Sequence, residues 1–229
     1  MILAFRLLVY GDYACFTRPE MKAERVSYDV ITPSAARGII DAIYWHPGLR
    51  WIVDKIKVLS EIRFDTIRRN ELAKKIPYGN IRQAMNGANI DLHQYINTDR
   101  QQRATLLLRD PAYVITAHFE LNPKQMAAED NGNKFTDQFT RRARKGQCHH
   151  QPYFGTREFK AHFQLLEEGD PMPKGFYDGE ACRDLGWMLW DMAYAENFEP
   201  NSKDEFAVPK FFRASMQYGV IDTSKGLVI

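Results

Sequence analysis

The sequence predicts an α+β fold, on three observations. Short apolar runs with strand character recur along the chain, at residues 2–10 and 113–121 among others. Two stretches, 34–46 and 133–145, instead carry apolar residues at helical spacing. Their order is strand, helix, strand, long insertion, strands, helix, strand. That is the β-α-β-β-α-β order of a ferredoxin-like, RNA-recognition-like sheet, here carrying a large decoration.

The first strand, 2–10, is short and ends at Gly11-Asp12. A polar stretch with two prolines follows, and only a brief extended piece is expected near 26–30. The first helix opens with Thr32 or Ser34 as N-cap and Pro33 in its first turn. Ala36, Ile39, Ile40 and Ile43 fall on one face, and Pro47-Gly48 ends the helix. Its last turn brings Tyr44, Trp45 and His46 in succession, and on a helical wheel all three cannot share one buried face.

Alternation at Ile56, Val58, Ser60, Ile62 and Phe64 predicts a strand in the second half of 51–64. Residues 65–103 are polar, basic and rich in Pro, Gly and Asn, which predicts a loop-rich insertion. Strands at 104–108 and 113–121, with Arg109-Asp110-Pro111 between them, predict a hairpin. A helix over 133–145 places Phe135, Phe139 and Ala143 one turn apart and gathers its basic residues in the last turn. A strand over 157–166 places Phe159, Ala161 and Phe163 on one side. The remainder, with strands at 185–194 and 208–221, reads as a small antiparallel β unit. The division is thus 1–166, holding the insertion at about 65–103, and 167–229.

Composition narrows the function. With 229 residues and 45% hydrophobic content the chain can bury a sizeable core. Three cysteines do not make a disulfide framework, the start does not read as a signal peptide, and no apolar run reaches the ~20 residues that span a bilayer. A cytoplasmic location and no membrane partner are the expectation. The net charge of +2 hides a segment, 164–206, with a net of −8. The rest is basic, with clusters at Arg68-Arg69, Lys74-Lys75 and residues 141–145, which points weakly to a polyanion.

No phosphate-binding loop, dinucleotide fingerprint or nucleophile elbow is present. Cys148, His149 and His150 are adjacent and cannot easily all reach one ion, so neither a metal nor a cofactor is expected. His118, inside an alternating strand, reads as a structural histidine. Metal-free RNA cleavage needs a base on the 2′-hydroxyl, an acid for the leaving 5′-oxygen and a cation for the phosphorane. Tyr44 or His46 with a basic residue of the insertion can supply that set. Trp45 suits packing or base stacking. Basic residues interleave with aromatics around Arg18, Lys22 and Arg25, a pattern suited to RNA.

Four segments carry a resemblance. They are GDYACFTRPE at 11–20, YDVITPSAARG at 28–38, Gln102-Arg103 ahead of the Leu-Arg-Asp turn, and YFGTREF at 153–159. In order and spacing they resemble the Cas5 family of CRISPR proteins, in its subtype I-C branch (Cas5d or Cas5c), over nearly the whole chain. The resemblance implies a ferredoxin-like domain with a small C-terminal β domain. It also implies metal-independent cleavage of CRISPR repeat RNA, retention of the crRNA 5′ handle, and assembly into Cascade beside its backbone and large subunits. Double-stranded DNA is left open as a further partner. The alternative within the family is a non-catalytic subunit that only caps the handle.

The family's active residues are a tyrosine in the first helix, matched by Tyr44, and a Lys-His pair after the insertion. With Arg103 at the lysine position, Ala104 stands where the histidine is expected, and His46 is the substitute. Catalytic candidates are therefore Tyr44, His46 and Arg103. Candidate RNA contacts are Arg18, Lys22, Arg25, Arg37, Trp45, Arg68, Arg69, Arg141, Arg142, Arg144 and Lys145.

Overall fold

In the computed structural model, residues 4–21, 23–194 and 207–224 are described. In chain order the elements begin with strands β1 (Phe5–Tyr10), β2 (Tyr13–Ala14) and β3 (Arg25–Val26), then helix α1 (Pro33–Ile43). Next come β4 (Leu49–Val58), β5 (Phe64–Leu72), the short helices α2 (Tyr78–Met85) and α3 (Ile96–Asp99), β6 (Arg100–Arg109) and β7 (Ala112–Leu121). Helix α4 (Gly132–Arg144) and strands β8 (His162–Leu166), β9 (Arg183–Tyr194), β10 (Ala207–Gln217) and β11 (Val220–Asp222) complete the described chain.

Seven strands form the main sheet in the order β8-β1-β7-β4-β11-β10-β9, each paired antiparallel with its neighbours. Helices α1 and α4 lie against it. α1 starts where expected but ends at Ile43, before Tyr44, Trp45 and His46: the Thr32 hydroxyl accepts the Ala35 N–H at 3.2 Å, Pro33 occupies the first turn, and Ala36, Ile39, Ile40 and Ile43 are buried. α4 buries Phe135, Phe139 and Ala143, and Asn131 caps it by accepting the Lys134 N–H at 2.9 Å. These faces meet Phe5 and Trp51 of the sheet, with ring centroids 4.7 Å apart for Trp51–Phe139 and 4.8 Å for Phe5–Phe139.

Four expectations are corrected. The strand expected late in 51–64 occupies 49–58 instead. Its alternation is broken by a bulge at Asp54, where the register with β7 jumps from Val53↔Ala117 to Lys55↔Thr116. The insertion is not mainly loop: β5 and β6 pair over nine residues, Phe64↔Leu108 to Leu72↔Arg100, making a β arm tipped by α2 and α3. β6 and β7 do not pair as a hairpin. β7 is held on both sides by β1 and β4, while β6 lies between β5 and the short β2 and β3 in a second sheet. The strand expected over 157–166 is confined to β8, because the chain turns at 155–158 with Gly155 at φ +80°.

β9, β10 and β11 are antiparallel strands and extend the main sheet through β11 on β4; the single strand expected over 208–221 is split into β10 and β11 by the turn at Tyr218-Gly219. Arg37 of α1 reaches Asp191 of β9 with both guanidinium nitrogens, one at 2.9 Å, fastening the helix to that extension. Asp41 stands 3.8 Å from Arg37. Burial pushes its carboxyl up to about 6, against the pull of Arg37 and with the push of Asp191. The folded chain therefore holds this proton more tightly than the unfolded chain, and Asp41 costs stability as pH rises through 4 to 6. Asp41→Asn is expected to stabilise the protein by about 1–2 kcal/mol at pH 7.5, discounted for partial exposure, and to change nothing at pH 4. Urea unfolding at the two pH values reads the difference.

Candidate active site

α1 ends at Tyr44, whose backbone turns extended at φ −151° and ψ 116° while its N–H still donates to Ile40 at 3.0 Å. The turn separates three consecutive aromatics. The Tyr44 side chain packs inward at 7% exposure, Trp45 stands out at 63%, and His46 is intermediate. The Trp51 indole N–H donates to the Tyr44 carbonyl at 2.9 Å, so the sheet fixes where the helix stops. Pro47-Gly48 then leads into β4.

The start of α4 packs against this turn. The Phe135 ring lies 4.8 Å from the His46 ring and 6.4 Å from that of Tyr44. The Arg142 guanidinium donates to the Ile43 carbonyl at 3.1 Å and sits over the Tyr44 ring, 5.1 Å from its centroid. Asp130 takes the Lys134 ammonium at 2.9 Å, and its other oxygen is 3.7 Å from His46 Nε2, an electrostatic contact rather than a hydrogen bond. Gly48 N–H donates to His46 Nδ1 at 3.0 Å, so the neutral imidazole carries its proton on Nε2. A side chain at Gly48 would stand 2.7 Å from Met126 and 3.1 Å from His46 Nδ1, so this close approach needs glycine.

The electrostatics follow from that packing. Burial pushes the Tyr44 phenol above its ordinary range; Arg142 and Lys134 oppose the shift and Asp130 adds to it. The Lys134 hydrogen bond, helped by the Ala127 N–H, holds the Asp130 carboxyl below the usual carboxylate range, and the same bond raises the Lys134 ammonium. At neutral pH the cluster therefore presents a protonated phenol, two cations and one carboxylate.

Of the three catalytic candidates, Tyr44 and His46 come together and Arg103 stands apart from them. Arg103 lies on the arm opposite Arg69. It donates to the Ala73 carbonyl at 3.4 Å, and its buried Nε is 3.7 Å from Glu71. Lys134 and Asp130 escaped the sequence reading; Asn131 as an N-cap marks the start of α4, but nothing local marks its neighbours as site residues.

The RNA candidates divide. Arg18 pairs with Asp29 at 3.2 Å and covers the Tyr28 ring; Arg25 pairs with Glu71 at 3.1 Å; Arg37 is held by Asp191; Arg69 pairs with Glu158. Arg68, Arg141 and Lys145 are exposed, and Arg144 is exposed but bound to Glu167. Lys22 lies outside the described residues. The 141–145 cluster thus splits three ways, since Arg142 turns to Tyr44, Arg144 to Glu167, and Arg141 lines a shallow groove with Lys134 and Gln138. His118 bonds Asp54 at 2.9 Å, a partner supplied by the bulge. Among the described residues no helix is long and apolar enough to cross a membrane, and no three metal-ligating side chains gather.

A mixed α+β fold, mostly antiparallel, with a tyrosine, a histidine and paired cations at one helix junction defines the class. The family model for Cas5d, described as a CRISPR-associated protein, matches residues 4–223. The chain belongs to the Cas5d family. It is 52% identical over 219 residues, covering 95% of this chain and 93% of the relative, to the CRISPR pre-crRNA endoribonuclease Cas5d of Mannheimia succiniciproducens. It is 39% identical to the protein of the same name from Thermus thermophilus, covering 95% of this chain and 90% of the relative. A solved structure described as a CRISPR-associated protein superposes with a TM-score of 0.66 at 25% identity, covering 99% of this chain and 96% of that one. The fold is shared too by the functionally uncharacterized protein SMU1763c from Streptococcus mutans, at TM-score 0.65 and 22% identity, covering 99% of this chain and 97% of that one.

Proposed function

We propose that this protein is a metal-independent endoribonuclease that cleaves CRISPR repeat RNA and keeps the 5′ handle as a Cascade subunit. One observation carries the reading. Tyr44, His46, Lys134 and Arg142 meet at the α1–α4 junction of a chain 52% identical to a protein named for pre-crRNA cleavage. The 2′-hydroxyl attacks the neighbouring phosphorus, and departure of the 5′-oxygen leaves a 2′,3′-cyclic phosphate and a 5′-hydroxyl. Tyr44, kept protonated by burial, donates toward the phosphate or the leaving oxygen. Lys134 supplies the positive charge that the phosphorane needs. His46 reaches a base role only by giving up the Gly48 N–H.

Lys134 also answers the family's Lys-His pair better than Arg103 does. It lies after the insertion and stands beside His46 through Asp130, although the residue that follows it is Phe135 and not a histidine. The strand order β8-β1-β7-β4 with α1 and α4 supports a ferredoxin-like core. The division at 166/167 and the cytoplasmic location are carried with this reading. Exposed Trp45 suits a stacked base, and the groove from Lys134 to Arg141, with exposed Lys145 beyond the end of α4, suits repeat phosphates. Arg68, exposed on the arm, and Lys22 add positive charge, and Arg18, Arg25, Arg37, Arg69 and Arg144 contribute by exchanging present partners for phosphate. Backbone and large subunits of Cascade are the protein partners of this reading.

The test is cleavage of repeat RNA in EDTA by wild type and Tyr44→Phe. A rate loss of about 100-fold or more in the variant, with binding retained, is expected. Wild-type protein that binds but does not cut its own repeat sinks the nuclease and leaves handle capping as the function.

A further inference from the structure

We infer that Asp130 is a positioning residue for this reaction, acting through Lys134 and His46 to hold both at the α1–α4 junction beside Phe135, where the Tyr44 ring also packs. The inference rests on the proposed reading of the site. The Asp130 side chain is only 3% exposed, and both of its oxygens are engaged. Oδ1 accepts from Lys134 Nζ at 2.9 Å. Oδ2 accepts the Ala127 N–H at 2.9 Å and stands 3.7 Å from His46 Nε2.

An ordinary surface ion pair one helical turn apart does not explain this arrangement. Asp130 lies before α4, outside the helix, whose N-cap is Asn131. Asn131 accepts the backbone N–H of Lys134 while Asp130 accepts its ammonium, so two consecutive side chains hold one lysine at both ends. Helix capping needs only the first of these bonds. The third neighbour, His46, comes from the α1–β4 turn, so the carboxylate joins two elements distant in sequence. Lysine is a flexible point charge, and a fixed covered anion gives it one location instead of many. The same anion keeps the ammonium protonated, as phosphorane stabilisation requires.

Asp130→Asn tests this directly. Asparagine keeps the volume and an acceptor for Ala127 N–H and removes the charge. The single-turnover cleavage rate is expected to fall about tenfold or more, while the Kd for repeat RNA stays within about twofold. On a Lys134→Ala background the same change is expected to cost clearly less than it does alone, because the Lys134 route is already removed and only the His46 contact remains. Asp130→Glu, which restores the charge, is expected to recover part of the rate at an unchanged melting temperature relative to Asp130→Asn. A wild-type rate in Asp130→Asn beside an impaired Lys134→Ala overturns this inference alone. So does a full independent loss in the double variant. Lys134→Ala cleaving at the wild-type rate overturns the reading of the site together with the inference.

Discussion

Lys134→Ala is expected to lower the single-turnover cleavage rate by at least about 100-fold in EDTA, the scale for removing one charge-stabilising donor from a reaction centre. Binding is expected to change little, since one lost phosphate contact shifts the salt slope by only about one. The cause is geometric. Lys134 is the ammonium tied beside His46 by Asp130, and its charge is felt by the Tyr44 phenol. Arg103→Ala is the comparison. Its guanidinium works within the arm, toward Glu71 and Ala73, so a rate within about threefold of wild type is expected. The reverse pair of outcomes would return the lysine position of the family to Arg103 and remove Lys134 from the chemistry.

Gly155→Ala is expected to cost roughly 3–5 kcal/mol, the range reached when backbone strain and a core clash combine. Gly155 has φ +80°, and a Cβ there would stand 2.0 Å from the Cys15 carbonyl oxygen. Neither side can yield cheaply. Cys15 N–H donates to the Phe154 carbonyl at 3.1 Å, and the Phe154 ring is fully buried against Phe16 and Tyr113. β2, next to Cys15, is paired to β6. Gly169→Ala separates the two causes, because Gly169 has φ +96° with open space around its Cβ position. It is expected to cost only about 1 kcal/mol. Thermal melting reads both. A fall in Tm of about 10 °C is expected for Gly155→Ala and a few degrees for Gly169→Ala. Equal small shifts would mean that the Cys15–Gly155 contact relaxes.

Much of α1 was legible in advance. Thr32 and Pro33 start the helix where expected, but it ends at Ile43, so Tyr44, Trp45 and His46 lie outside it rather than in a last turn before Pro47. Tyr44, Trp45 and His46 do not share one buried face, with Tyr44 in, Trp45 out and His46 between, but the cause is the extended turn at Tyr44 and not a helical wheel. Less of the site was legible. The basic cluster at 141–145 read as one phosphate-binding patch, yet its members turn to Tyr44, to Glu167 and to solvent. Charge counts do not record direction around a helix. The bulge at Asp54 hid β4, because one extra residue breaks the alternation by which a strand is recognised.

The sequence by itself determined what its local rules govern: the start of α1 at Thr32-Pro33, its buried apolar face, and the one-turn spacing of Phe135, Phe139 and Ala143 on α4. The tertiary structure alone decided which residues share the site. Tyr44 and His46 are separated from Asp130 and Lys134 by more than eighty residues of strand and arm. They meet because β4 and β7 pair and the chain beyond β7 returns as α4, packing Phe135 and Phe139 on the face that α1 also covers. That meeting is a property of sheet order and burial, and no periodicity within either segment encodes it.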